Sequence, residues 1–103
     1  MVVYVRGYLN GALGKEVCRV VRGLVDAGEL RLLINFEGTR LINSRGIASI
    51  LALGEMTAER DGRLALCALT PAARDLFRVT GTGRTVAVFE TEGDALASFG
   101  LRG

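Results

Sequence analysis

Three consecutive large aliphatic residues, Leu32, Leu33 and Ile34, lie inside the segment Arg31 to Phe36 and constrain this chain most. Successive side chains of a strand point to opposite faces of a sheet. An unbroken apolar run therefore needs cover on both faces, as a central strand of a parallel sheet has. Leu64 to Leu69 repeats the pattern. Val2 to Leu9 is β-branched and aromatic, is interrupted at Gly7 and ends in the turn signal Asn10-Gly11; Val86 to Phe89 is a fourth strand pattern.

Between these strands the hydrophobic period changes from two to about 3.6. From Leu13 to Ala27 the residues Leu13, Val17, Val20, Val21 and Leu24 share one face and Lys15, Arg19, Arg22 and Asp26 the other, and Gly28 closes the helix. A second helix runs from about Arg45 to Arg60, with Ile47, Ile50, Leu51, Gly54 and Ala58 as its core face; Asp61-Gly62 ends it. Arg45, Ser49, Ala52, Leu53, Met56 and Arg60 are then expected to face outward, which makes Leu53 and Met56 an apolar docking face open to water. Isolated exposed apolar residues are also ordinary, and spacing does not choose between the two readings. Thr70-Pro71 supplies an N-cap and a first-turn proline for a short helix ending near Val79. Thr91, with Asp94 three residues on, resembles a capping box for a last helix to about Phe99.

Strands alternating with helices through short turns imply right-handed crossovers. The expected fold is a single layered α/β domain over residues 1–103, with a mostly parallel four-stranded sheet and about four helices.

Composition narrows the function. The 103 residues include no histidine, which removes the usual base of a serine or cysteine nucleophile and the commonest zinc ligand, so no catalytic residue, metal site or cofactor is expected. Cys18 and Cys67 stand far apart within apolar patterns and read as small hydrophobes. Thirteen basic and eleven acidic side chains leave a net charge of +2, with no basic-aromatic ladder, which points to a protein partner rather than nucleic acid. No apolar run approaches the roughly 20 residues that span a bilayer, and the start lacks the pattern of a signal peptide. A cytoplasmic protein without a membrane contact is expected.

Two glycine-bearing segments fail as phosphate loops. Leu9 to Glu16 has Leu9 where the first glycine belongs and Glu16 where a magnesium-binding hydroxyl is needed. Gly81-Thr82-Gly83-Arg84-Thr85 follows a helix and leads into a strand, the reverse of the order that aims N–H groups at a phosphate. Ser44 is the better candidate. It lies where a polar loop after the Arg31 to Phe36 strand meets a helix start. A phosphate there would meet unpaired N–H groups and the positive end of the helix, a switch; alternatively Asn43 or Ser44 is simply the N-cap.

The order Ile42-Asn43-Ser44-Arg45-Gly46-Ile47 resembles the Asp-Ser-Ser/Thr-Gly-Leu/Ile pattern of the STAS domain family, in particular its bacterial anti-sigma-factor antagonists. Gly7-Tyr8-Leu9-Asn10, the Leu64 to Leu69 strand, Thr70-Pro71 and Phe77-Arg78-Val79-Thr80-Gly81 extend the likeness over nearly the whole chain. The resemblance implies a non-enzymatic module. It binds an anti-sigma factor that is a serine kinase while Ser44 is unmodified, and releases it when Ser44 is phosphorylated, with a phosphatase to reset it. Asn10, Thr39, Asn43, Arg45, Gly46, Ser49, Leu53 and Met56 are the implied partner-binding residues. The alternative function is a STAS scaffold or oligomerisation module without phosphorylation.

Three departures stand out. Asn43 replaces the family's Asp and keeps only a capping oxygen; Arg45 replaces a small hydroxyl residue and can pair with a phosphate on Ser44. The chain also starts at what resembles the family's second strand. The first strand is then missing, and an edge is left open to pairing in a homodimer.

Overall fold

The computed structural model of the chain describes residues 1–79 and 86–100. In chain order the elements are β1 (Val2–Arg6), α1 (Gly11–Asp26), β2 (Arg31–Gly38), α2 (Ser44–Glu59), β3 (Arg63–Cys67), α3 (Pro71–Val79), β4 (Val86–Phe89) and α4 (Glu92–Ser98). The strands form one parallel sheet in the order β1-β2-β3-β4. The loop Gly81 to Thr85 and Thr80 before it lie outside the described residues.

A monotonic parallel order with crossovers of one hand puts every crossover helix on the same face. Accordingly Val17, Val21 and Val25 of α1, Ile47, Ile50 and Leu53 of α2, and Phe77 of α3 pack together with Leu32, Ile34, Phe36, Leu64, Leu66 and Val86 from the sheet. Among the described residues only α4, which follows the last strand and crosses back to none, covers the other face. There Leu33, Ala65 and Cys67 meet Ala95, and the small side chains of β3 let the short helix lie close. The apolar runs thus have cover on both sides, as β2 and β3 require.

Capping sets the helix starts. Asn10 Oδ1 accepts from Leu13 N at 3.0 Å, so α1 opens at Gly11, ahead of the first apolar residue of its stripe. Thr70 Oγ1 accepts from Ala73 N at 3.2 Å and Thr91 Oγ1 from Asp94 N at 3.1 Å.

The structure corrects the faces of two helices. In α2 the buried positions are Gly46, Ile47, Ile50, Leu53, Gly54 and Thr57, and Ala58 is exposed. Leu53, expected in water, is 1 % exposed, and Met56 is half-buried against the core. The physical reason is that α2 is covered by the sheet on one side and by α1 on the other, which widens its buried arc and turns it toward Leu53 and Thr57. Thr57, polar and fully buried, donates to Leu53 O at 2.7 Å. In α1 the buried line passes through Gly14, Val17, Val21 and Val25, leaving Val20 exposed.

Candidate functional site

The site is built where β1 and β2 end and α1 and α2 begin. In a parallel sheet whose strands lead into helices, helix N-termini collect at the C-terminal edge of the strands, and with them unpaired N–H groups. After β2 the chain turns at Thr39, whose N donates to Phe36 O at 2.9 Å and whose Oγ1 donates to Val5 O at 3.1 Å. Two segments then run side by side: Leu9 N donates to Leu41 O at 2.9 Å and Asn43 N to Leu9 O at 3.0 Å. This short parallel ladder, bridging Leu9 and Ile42, fixes the loop before α2 against the loop before α1.

Asn43 is the N-cap of α2. Its backbone is extended (φ −108°, ψ 174°) and its Oδ1 accepts from Gly46 N at 2.9 Å. Ser44, the first helical residue, is therefore left without a capping duty. Its side chain is exposed, and among the described residues no donor or acceptor engages its hydroxyl. Replacing Asn43 with Ala is expected to lower stability by about 1 kcal/mol, read as a drop in melting temperature.

Gly46 is buried because the Leu9 carbonyl lies against it, and an added Cβ would collide with that oxygen. The clash is with backbone, which cannot step aside without breaking the Leu9–Ile42 bridge. Gly46→Ala is expected to cost about 1–3 kcal/mol in chemical denaturation.

Close approach of the two helices completes the site. A Cβ on Gly14 would fall 2.5 Å from Ser49 Oγ, so α1 lies directly on α2 at this level. Ser49 Oγ donates to Arg45 O at 3.0 Å, and Cys18 Sγ lies 3.7 Å from Ser49 O as its donor. The Arg45 side chain leans across onto Gly11 at the start of α1. Asn10, Gly11, Lys15, Asn43, Arg45 and Ser49 thereby line one open depression, two of whose residues, Asn43 and Arg45, are the chain neighbours of Ser44.

Of the residues expected to meet a partner, Asn10, Asn43, Arg45 and Ser49 line this depression, Asn43 and Arg45 flanking Ser44 in the chain, and Gly46 is buried. Thr39 does not belong to a contact surface: it is 2 % exposed and its hydroxyl is spent on Val5. Leu53 is excluded by burial too, and Met56 packs on the core. Sequence reasoning missed Lys15, Arg40 and the exposed Tyr8 and Leu41 of the paired loops, the last 65 % exposed. The signal for Lys15 was its place on the polar face of α1 one turn after the Asn10 cap; nothing in the spacing set Tyr8 beside Leu41.

The thiols are not primed as nucleophiles. Burial, with Glu92 and Glu37 nearby, pushes Cys67 up to about 11, and burial also raises Cys18. Among the described residues no helix is long and apolar enough to cross a membrane.

A parallel four-stranded sheet, three helices on one face, and a capped loop presenting a serine define a STAS-type module. The STAS domain model matches residues 1–95, and the chain belongs to the STAS domain family. It is 25 % identical over 99 residues to BtrV of Bordetella bronchiseptica, whose name assigns it as an anti-sigma factor antagonist; the match covers 96 % of this chain and 85 % of that protein. Among solved structures, unphosphorylated SpoIIAA, an anti-sigma factor antagonist, superposes with TM-score 0.77 at 18 % identity, covering 99 % of this chain and 90 % of the other. SpoIIAA in its phosphorylated form, a Bacillus cell fate determinant, gives 0.72 at 21 % identity, with 95 % and 88 % covered. The protein TM1081 gives 0.80 at 15 % identity, with 93 % and 78 % covered. These structural likenesses carry the fold.

Proposed function

We propose that this chain is an anti-sigma factor antagonist, a non-enzymatic cytoplasmic module whose partner is an anti-sigma factor with serine kinase activity. The unmodified chain binds the kinase and frees its sigma factor; phosphorylation of Ser44 ends the complex, and a phosphatase restores it. One observation carries this reading: Asn43 takes the capping role, so the exposed Ser44 hydroxyl at the first position of α2 is available for modification. The family, the name of the Bordetella relative and the SpoIIAA fold support the class of partner.

The scaffold reading, assembly through an open sheet edge or the Met56 face, loses the second of these because Met56 packs on the core, and keeps only the edge strand β1. Incubation of the purified chain with each anti-sigma factor of its genome and ATP, followed by peptide mass spectrometry, tests the proposal. Phosphate on Ser44 is the expected result. Phosphate on another residue, or none with any of the kinases, overturns it.

A further inference from the structure

The charged residues of the depression that Asn43 and Arg45 border are of one sign. Arg45 and Lys15 line the same depression, and Arg22 continues the strip along α1, two turns beyond Lys15. Lys15, Arg22 and Arg45 are all exposed, and none forms an ion pair among the described residues. The carboxylates nearest to this strip on α1 are already taken: Glu16 pairs with Arg19 at 2.9 Å, and Asp26 with Arg60 at 3.1 Å. A chain with a net charge of only +2 thus gathers uncompensated cations along α1 and at the start of α2, where Ser44 lies, while Glu90, Glu92 and Asp94 stand at β4 and α4, across the sheet.

We propose that the anti-sigma factor meets this strip with an acidic surface, carboxylates facing Arg45, Lys15 and Arg22, and that phosphorylation releases it by cancelling the strip's charge. This rests on the reading of the chain as an anti-sigma factor antagonist. Uncompensated like charges on an open face repel one another and favour a partner of the opposite sign, which steers encounter and fixes register. A phosphate on Ser44 brings about −1.5 to −2 charges next to two cations. Arg45, the next residue, has a side chain long enough to turn from Gly11 toward the phosphate and pair with it. The local charge of the Arg45–Lys15 pair falls to near zero, and the acidic partner then faces phosphate oxygens instead of guanidinium and ammonium groups.

The arrangement also explains Arg45 at a position where the related pattern carries a small hydroxyl residue. An arginine there makes the unmodified state attractive to an acidic surface and supplies the partner that captures the phosphate afterwards. One side chain serves both states.

The test is binding of the anti-sigma factor that phosphorylates Ser44, measured by calorimetry over a salt series and repeated with charge reversals. Binding to the unmodified chain is expected to weaken roughly tenfold or more between about 0.05 M and 0.5 M salt. Lys15→Glu combined with Arg45→Glu is expected to weaken it by about 100-fold. Arg63→Glu, at the opposite end of the sheet, is expected to leave it unchanged. All three positions are exposed, so melting temperatures of the variants serve as the folding control. Salt-insensitive binding that tolerates the double reversal overturns the acidic partner surface and leaves the antagonist reading standing. Retention on phosphatidylserine vesicles that the reversals abolish, with anti-sigma factor binding intact, overturns it in favour of a membrane. Absence of binding to any anti-sigma factor overturns both.

Discussion

Phosphorylation of Ser44 is expected to weaken binding of the anti-sigma factor about 100-fold or more without unfolding the protein. A hundredfold loss corresponds to about 2.8 kcal/mol, within what like-charge contact or an unpaired, desolvated phosphate costs at an interface. The fold is expected to survive because Ser44 has no structural duty: Asn43 caps the helix, and the serine side chain is exposed. A dianion at the start of the 16-residue helix α2 is favourable by about 0.3–1 kcal/mol, so the phosphorylated form should melt no lower than the unmodified one. Ser44→Ala should bind as tightly as the unmodified protein and accept no phosphate. Ser44→Asp carries one charge on a shorter arm and should weaken binding only about tenfold. Calorimetric titration of the four forms against one anti-sigma factor checks the series. Equal affinity for the modified and unmodified chains would falsify the switch.

Leu53→Asp is expected to unfold the protein or nearly so. If Leu53 faced water, as its spacing from Arg45 and Ser49 implies, the change would be harmless and would only remove a docking contact. Leu53 instead sits in the cluster with Ile50, Phe77 and the sheet, fully covered by its neighbours. Losing a buried leucine alone costs about 2–5 kcal/mol. An unpaired carboxylate among apolar groups adds several more unless it takes up a proton. A domain of this length holds on the order of 5–15 kcal/mol in all. Circular dichroism should show lost helix content at room temperature. A variant that stays folded and loses only partner binding would restore the docking face.

How far the fold was legible is best seen by comparing α3 with α2. Thr70-Pro71 announces a helix start by local chemistry alone, and α3 begins at Pro71 with Thr70 accepting from Ala73. The Thr91 cap is equally local, and so are those of Asn10 and Asn43, where a side-chain oxygen also reaches a backbone N–H three residues on; yet Asn10-Gly11 reads in sequence only as a turn, and Asn43 and Ser44 both remain open as the cap of α2. The strands were legible because continuous apolarity in β2 and β3 has one cheap solution, cover on both faces. In α2, by contrast, the apolar residues Ile47, Ile50, Leu51, Leu53 and Met56 spread over more than half the helix circumference. A pattern that broad allows more than one choice of buried face, and the selection falls to α1, whose Gly14 lies against Ser49 and whose Val17, Val21 and Val25 share the buried cluster with Leu53.

The site divides along the same line. The exposed place of Ser44 at a helix start was legible because a polar loop between an apolar strand and an amphipathic helix leaves few places for an exposed hydroxyl. Thr39 was misplaced because it belongs to the same polar stretch, and only its contact with Val5, 34 residues away in sequence, shows it to be a pin for the loop.

By itself, the sequence determined what depends on near neighbours: the order of strands and helices, the caps that start them, the parallel sheet that its apolar runs demand, and the position of Ser44 at a helix start. Tertiary structure decided what depends on residues far apart in the chain: that Thr39 is pinned to Val5, that Leu53 is inside, and that Lys15 of α1 and Arg45 of α2 line one depression. The physical reason is range. Capping and periodicity act over a few residues, whereas burial and the summed charge of a surface are set only when helices from separate segments pack against one sheet.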